Sequence, residues 1–247
     1  MKKQLLRLLL CAGLLAGLFT VTALAADWTY DPTAQTLTYT LSSDTVVLKN
    51  VTDDGSGKLT IGSYQKFTGA ALDLTGQITD SDGNTYAITA LGGSAFHGCG
   101  TLTTVALPES LTSIETYAFY SCSDLATVDF SRCTNLTIID MYAFSNCTSL
   151  AAVDLSGCTS LSTIEGYAFQ ACGLTTMDLS GCTNLSSIGQ CTFTSCDVAI
   201  DGVVGGWLAR LALDTVCCRN LFGLVTQIPF VHNIENCIIF QCDVEHF

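Results

Sequence analysis

Cysteine is the residue type in this chain with the widest range of chemistry, and its positions are regular. The sequence contains 14 cysteines, and eight of them form two series in which the spacing is 23 to 25 residues. The first series is Cys99, Cys122, Cys147, Cys172 and Cys196, and the second is Cys133, Cys158 and Cys182. Both series have an odd number of members, and equivalent side chains in stacked repeats project in parallel, which makes disulfide geometry hard to reach. We therefore expect buried free thiols, with disulfides as the alternative that export would favour.

Zinc binding is another use for so many cysteines. Structural zinc sites gather four ligands around one point and often include a Cys-x-x-Cys pair. This sequence has no such pair, and its repeat spacing distributes the thiols along the chain. The remaining cluster lies near the C-terminus and consists of Cys217, Cys218, Cys237 and Cys242. It is a weak zinc candidate, so we expect neither a metal nor a cofactor.

The histidines and carboxylates form no pattern that is typical of an enzyme. His97 lies within a repeat, whereas His232 and His246 lie near the C-terminus. The sequence has no G-x-S-x-G, no H-E-x-x-H and no glycine-rich phosphate loop. The repeated acids share one environment, so nothing separates their pKa values as a glycosidase requires. We expect no catalytic residues, and an unrecognised site within residues 26–86 is the least favoured alternative.

Repeated aspartates are the first candidate for binding. The aspartate column consists of Asp129, Asp154 and Asp178, with Ala106 at the equivalent position of the preceding repeat. Alternation along a strand places these side chains on the solvent face, beside Thr127 and Thr176. Stacked strands would bring neighbouring carboxylates to about 4.8 Å. The column would either prevent aggregation between sheets or receive cationic groups, or a bridging divalent cation, from a partner.

Repeated tyrosines are the second candidate for binding. The tyrosine column consists of Tyr117, Tyr142 and Tyr167, each directly before an Ala-Phe pair. If the repeats stack like parallel strands, successive rings lie about 5 Å apart and form a partly exposed stripe. The alternative is that these rings only shield the phenylalanines beneath them.

All of these residues belong to one repeating unit. The phenylalanines of the repeated "AF" or "TF" recur with spacings of 23, 25, 25 and 24 residues: Phe96, Phe119, Phe144, Phe169 and Phe193. Such a period indicates a solenoid, in which each unit buries its apolar face against its neighbours. The alternation around Val128-Asp129-Phe130 predicts a short strand in a parallel sheet. The segment before it predicts a turn or a 3₁₀ segment, and the phenylalanines should stack as a buried ladder.

The repeated motif I-x-x-x-A-F-x-x-C-x-x-L-x-x-V-x-L resembles that of the BspA-like leucine-rich repeats, from about Ile88 to Cys196. The resemblance implies a curved leucine-rich-repeat solenoid on an exported or surface protein. It also implies a role in adhesion and in binding other proteins. The family has no common catalytic residues to assign here.

The flanking segments predict the rest of the domain organisation. Residues 1–25 have the basic start, apolar centre and Ala-Leu-Ala end of a secretory signal peptide. Residues 26–86 are rich in Thr, Tyr and Val and predict a β-rich N-terminal cap, with a hairpin around Asp82-Gly83-Asn84. Residues 87–200 hold about five repeats. Residues 201–247 are an atypical apolar tail, for which two interpretations stay open: a reading-frame slip after about Gly206, or a true hydrophobic cap or packing interface.

The charge of the chain limits its partners. The formal net charge is −13, and six basic residues remain after the signal peptide. Such a surface repels phosphate backbones and anionic lipids, so we expect no nucleic acid partner. No segment of the mature chain is long and apolar enough to predict a transmembrane helix. We expect an exported or surface protein that binds a protein or glycan partner, and the alternative is a structural spacer without a specific ligand.

Overall fold

The computed structural model of this protein describes residues 27–41 and 44–201, and every regular element in these ranges is a β-strand. The N-terminal strands are β1 (Trp28–Asp31), β2 (Thr36–Leu41), β3 (Asp44–Leu48), β4 (Val51–Asp53), β5 (Lys58–Ile61), β6 (Ala71–Asp73), β7 (Ile78–Thr79) and β8 (Thr85–Leu91). The strands of the repeats are β9 (Thr104–Ala106), β10 (Ser113–Ile114), β11 (Thr127–Asp129), β12 (Ile138–Ile139), β13 (Ala152–Asp154), β14 (Thr163–Ile164), β15 (Thr176–Asp178), β16 (Ser187–Ile188) and β17 (Ala199–Asp201). Within these ranges no helix is long and apolar enough to cross a membrane. The predicted signal peptide and nearly all of the apolar tail lie outside the described residues.

Each repeat contributes two short strands to two separate parallel ladders. The first ladder runs in the order β8, β10, β12, β14, β16, and its inward apolar residues lie in register: Leu91, Ile114, Ile139, Ile164 and Ile188. The second ladder consists of two sheets, β6-β9-β11 and β13-β15-β17. The predicted solenoid of short parallel strands is therefore confirmed.

The segment between the two strands of a repeat is a series of tight turns. In the second repeat, the N–H groups of Ala118, Tyr120 and Cys122 donate to carbonyls three residues earlier. The N–H groups of Tyr117, Phe119 and Ser121 instead donate to carbonyls of the next repeat. This alternation needs left-handed backbone at Tyr117 (φ 61°) and Ser121 (φ 57°). These residues interrupt any 3₁₀ helix, and the N–H groups of residues 117–122 are bonded alternately to the next repeat and within the turn.

A ladder of phenylalanines fills the centre of the solenoid, as predicted. Phe96, Phe119, Phe144, Phe169 and Phe193 are fully buried. Successive ring centroids are 5.3, 5.1, 5.2 and 6.1 Å apart, with planes within 14° of parallel. Rings this close and this well aligned pack as a continuous stack, in which each ring buries apolar surface against the rings of the neighbouring repeats.

Small polar side chains tie each repeat to the one before it. One column of hydroxyls donates to main-chain carbonyls of the preceding repeat: Thr112 to Thr89 (2.8 Å), Thr137 to Thr112 (2.8 Å), Ser162 to Thr137 (3.0 Å) and Ser186 to Ser162 (3.0 Å). These bonds explain the abundance of Ser and Thr, because short hydroxyl side chains can reach a carbonyl about 5 Å away along the stack.

The β-rich N-terminal region contains an additional turn of the solenoid. β5 pairs with β8 in parallel, and β6 pairs with β9 in parallel, so Leu72 lies opposite Val105. Phe67 packs edge-on against Phe96, with centroids 6.5 Å apart. Gln65 is buried and hydrogen-bonds the main chain of Lys49 and Gly62. Residues 58–74 therefore form a turn of the solenoid that covers the first recognisable repeat, although their sequence lacks the motif.

Antiparallel strand pairs complete this region. β2 pairs with β1 and with β3, and β7 pairs with β8. The β7–β8 turn is the one predicted around Gly83, which has a φ of 83°. Asp80 Oδ1 accepts the N–H groups of Asp82 (2.9 Å) and Asn84 (2.8 Å), and these bonds hold the turn closed.

Candidate functional site

The tyrosine column forms a regular stack of rings on the turn segments. The ring centroids of Tyr117 and Tyr142 are 5.0 Å apart with planes 6° from parallel, and those of Tyr142 and Tyr167 are 4.8 Å apart with planes 9° from parallel. Tyr117 is exposed, and Tyr142 and Tyr167 are half-buried. The spacing and the partial exposure match the expectation from the sequence.

All three tyrosines have a backbone conformation that tyrosine disfavours. Their φ angles are 61°, 58° and 60°, in the left-handed region. A bulky residue there costs about 1 kcal/mol or more, whereas glycine adopts it freely and asparagine at little cost. The backbone at these positions therefore gives no reason for tyrosine, and the reason must lie in the side chains.

Other aromatic side chains extend the column into a continuous aromatic strip. The Tyr120 ring stands edge-on to Tyr117 at 5.3 Å and stacks on His97 at 5.1 Å. His97 in turn contacts Tyr64, with centroids 6.1 Å apart. Tyr64 is 68% exposed and Tyr117 is 37% exposed. The aromatic strip thus runs from the additional N-terminal turn through four successive turns of the solenoid.

A column of acids borders the tyrosines. Glu115, Asp140 and Glu165 each lie two residues before a tyrosine and are half-buried. Glu115 Oε2 accepts the N–H of Gly93 (2.9 Å), and Asp140 Oδ2 accepts the hydroxyl of Thr116 (2.9 Å). Glu165 has no side-chain partner among residues 27–41 and 44–201.

The chemistry that the aromatic strip offers is set by the ring stacking. Both faces of Tyr142 are covered by its two neighbours, so this ring presents its edge and its hydroxyl to solvent. Burial, and then the neighbouring Tyr117, raises the pKa of Tyr142 above its usual 10.0. The hydroxyl therefore stays protonated at neutral pH and can both donate and accept hydrogen bonds.

The aspartate column has a local role in the fold. Asp129, Asp154 and Asp178 each accept, through Oδ1, the N–H of the serine two residues later: Ser131 (2.9 Å), Ser156 (2.9 Å) and Ser180 (2.7 Å). The same bond joins Asp73 to Thr75 (2.9 Å) in the additional turn. Bonds of this type close a turn at the end of each strand. The bonds from Ser180 lower the pKa of Asp178.

The predicted three-membered ladder of carboxylates is interrupted. Asp154 and Asp178 face each other in register on β13 and β15. Asp129 lies on β11, which pairs with β9 and therefore faces Ala106. Among the described strands, β11 and β13 belong to different sheets. Thr127 and Thr176 are exposed next to this column, as expected.

The repeated cysteines act as hydrogen-bond donors in the core. The nine cysteines of the described ranges are buried, and none of them is in a disulfide. In the first series the thiols donate to main-chain carbonyls of the preceding repeat: Cys99 to Gln65 (3.2 Å), Cys122 to Phe96 (3.0 Å), Cys147 to Phe119 (3.2 Å), Cys172 to Phe144 (3.0 Å) and Cys196 to Phe169 (3.0 Å). Burial raises the pKa of Cys122 to about 12 and that of Cys182 to about 11. Such thiols are unreactive at neutral pH.

The structure describes no arrangement that would hold a metal ion. Within residues 27–41 and 44–201, no three His, Cys, Asp or Glu side chains are grouped in that way. The weak zinc candidate of Cys217, Cys218, Cys237 and Cys242 lies outside the described residues, as do His232 and His246.

Several residues of the aromatic strip were not predicted from the sequence. Tyr120, His97 and Tyr64 occupy different positions of the repeat, so a search for one repeated residue type does not find them.

The acid column was not predicted either, because it alternates between Glu and Asp and ends at Gly189. A search for chemical class instead of residue identity would have found it.

The repeats match a known family profile. The profile for the BspA type leucine rich repeat region matches residues 80–199, in six copies. No curated protein matches this chain.

Three solved structures are similar to this chain, and the first shows a related fold. A leucine-rich repeat protein from Bacteroides ovatus is 22% identical, with a TM-score of 0.51, and the match covers 63% of this chain and 40% of that chain. A leucine-rich repeat protein from Bacteroides capillosus is 20% identical, with a TM-score of 0.42, over 63% of this chain and 93% of that one. A leucine rich cell surface protein from Faecalibacterium prausnitzii is 21% identical, with a TM-score of 0.36, over 67% and 55%. The profile match and the stacked repeats identify residues 80–199 as a BspA-type leucine-rich repeat region.

Proposed function

We propose that this protein is an exported or cell-surface leucine-rich-repeat protein that binds another protein through the aromatic strip, without catalysis. The observation that carries the proposal is the tyrosine column, which repeats a bulky and partly exposed side chain in a backbone conformation that disfavours it. Backbone strain that persists in successive repeats indicates a function for the side chains. Export is supported by the signal-peptide pattern of residues 1–25.

The composition of the aromatic strip supports a protein partner. Tyrosine is enriched at the centres of protein interfaces because it buries a large area with few rotatable bonds and keeps a polar hydroxyl. An adhesive role would follow if the partner lies on another cell or on a matrix. A glycan partner would need free ring faces for stacking, and the faces of Tyr142 are covered.

The aspartate column, with Thr127 and Thr176, is the second surface to consider. Its carboxylates close the turns of their own repeats, so the fold accounts for them. The same bonds, together with the hydroxyl and thiol bonds between repeats, would suit a structural spacer that has no ligand. Variants of the tyrosine column and of the aspartate column can therefore distinguish a binding protein from a structural spacer.

The test is to screen the purified protein against an array of secreted and cell-surface proteins. Two triple variants are compared with the wild type. In the first, Tyr117, Tyr142 and Tyr167 become Asn, which tolerates the left-handed backbone. In the second, Asp129, Asp154 and Asp178 become Asn, which keeps the turn acceptor. We expect the tyrosine variant to lose more than about tenfold in affinity for the captured partner and the aspartate variant to bind like the wild type. Equal binding by all three proteins would show that the partner binds elsewhere than at the aromatic strip, and no saturable binding by the wild type would favour the spacer.

A further inference from the structure

The repeats carry almost no positive charge. Between residues 87 and 201 the sequence contains ten acidic residues and one basic residue, Arg132. Arg132 follows the aspartate column at Asp129 and lies in a different segment of the repeat from the tyrosines. A partner that contacts the strip between Tyr117 and Tyr167 therefore meets acids without competing cations from the same turns, whereas Lys58 and Lys66 belong to the additional turn at the Tyr64 end.

The acids at the strip differ in how far the fold uses them. Asp140 accepts the Thr116 hydroxyl (2.9 Å) and also the N–H of Met141 (2.6 Å), and Glu115 accepts the N–H of Gly93. The carboxylate of Glu165 accepts no hydrogen bond from any residue in the described ranges. It lies two residues before Tyr167, at the same position as the other two acids. A half-buried carboxylate without a partner is the strongest acceptor that the strip presents to an incoming cation.

The tyrosine rings complement this carboxylate. Tyr142 presents its edge and its neutral hydroxyl, because its faces are occupied by Tyr117 and Tyr167. Phenol oxygens accept hydrogen bonds from ammonium and guanidinium groups, and the ring edges pack against the aliphatic stems of Lys and Arg. Ligands that bind by stacking on ring faces gain little at the interior of this column.

From these observations, and resting on the proposed function, we infer that the aromatic strip binds a protein segment that carries Lys or Arg. The cationic group binds the Glu165 carboxylate, and the stem and neighbouring residues of the segment pack along Tyr142 and Tyr167. Asp140 and Glu115 add a negative potential that attracts the segment from solution. The negative charge of these acids should also repel a partner whose own surface is anionic.

The experiment uses the purified protein and a fluorescent synthetic peptide with lysine at every third position, separated by serine and glycine. The neutral probes are the same peptide with glutamine in place of lysine and a neutral glucose oligomer. Binding is measured by fluorescence anisotropy at low and physiological salt. We expect the lysine peptide to bind more tightly than both neutral probes and to weaken as salt increases.

Two single variants locate the cation. Glu165→Gln removes one charge at the strip and should weaken the lysine peptide by about fivefold. Asp154→Asn removes the same charge from the aspartate column while keeping its turn, and should leave the affinity within about twofold. Equal weakening in both variants would overturn the inference, because binding would then reflect overall charge alone. Tighter binding of the glucose oligomer would overturn it as well.

The two proposals fail separately. Suppose that the tyrosine triple variant loses its captured protein partner but Glu165→Gln keeps it. The aromatic strip is then a binding surface, and the inference that it binds a cationic segment is wrong. If neither variant changes capture, the strip is not the binding surface and the proposed function fails with it.

Discussion

The aspartate column and the tyrosine column repeat equally well in the sequence, but the fold needs only one of them. Each aspartate closes the turn of its own repeat through a serine N–H. Each tyrosine occupies a position where the hydrogen bonds between repeats impose a left-handed backbone, which glycine or asparagine would adopt at lower cost. Repetition in a solenoid therefore has two sources. Folding explains a repeated side chain that is hydrogen-bonded within its repeat. A repeated bulky side chain at a left-handed backbone position requires a different explanation.

Among the repeated columns, the phenylalanine ladder should give the largest loss of stability when one of its members is removed. Phe144→Ala removes a fully buried ring with stacked neighbours 5.1 and 5.2 Å away, and should lower the free energy of unfolding by about 3–5 kcal/mol. Phe193→Ala should cost less, since its nearest stacked ring is 6.1 Å away. Chemical denaturation measures both values. Equal losses at the two positions would contradict the stacked ladder.

The cysteines provide a structural column that responds to pH. Burial raises the pKa of Cys122 from its usual 9.0 to about 12, so the folded protein keeps this proton after the unfolded chain has lost it. The stabilisation is complete below pH 9 and declines as the pH rises from about 9 to about 12. In this window each such thiol should reduce the free energy of unfolding by up to about 1.4 kcal/mol per pH unit.

Denaturation at several alkaline pH values measures this slope, and Cys122→Ser is the matched control because serine does not ionise there. The slope of the variant should be shallower than that of the wild type. Identical slopes would mean that Cys122 is already solvated in the folded protein.

Single aspartate variants should show small losses that depend on the acceptor. Asp154→Ala removes the acceptor for the Ser156 N–H and should cost about 1 kcal/mol, as capping residues do. Asp154→Asn keeps an oxygen acceptor and should cost less than about 0.5 kcal/mol. Thermal denaturation of both variants checks this. An equal loss for Asn and Ala would show that charge, and not the turn acceptor, is what the fold uses.

The sequence predicted the periodic features of the fold. The spacing of the phenylalanines and the alternation around Val128 were enough for parallel strands, a buried aromatic ladder and a stack of tyrosines about 5 Å apart, because all three follow from the repeat itself. The Asp-x-Ser pattern at Asp154 and Ser156 also predicts the turn. The expected exposure of Asp154 on its strand indicated a binding role instead.

The remaining features depend on geometry that residue types do not encode. Left-handed backbone at Tyr117 is imposed by the alternation of hydrogen bonds between neighbouring repeats, and tyrosine gives no local signal for it. The additional turn of residues 58–74 makes parallel strand pairings and a ring contact with Phe96 although its sequence lacks the motif. The strands β11 and β13 belong to different sheets although both carry a Val-Asp pair at the same position of the repeat.

The most direct test of the difference between the columns is the stability of two triple variants, measured by chemical denaturation under identical conditions. Replacing Tyr117, Tyr142 and Tyr167 by Asn removes two ring stacks but relieves three strained backbones, so the free energy of unfolding should change by less than about 1 kcal/mol. Replacing Asp129, Asp154 and Asp178 by Ala opens three turns and should cost about 3 kcal/mol. A tyrosine variant that loses as much stability as the aspartate variant would show that the fold needs both columns, and would contradict this account.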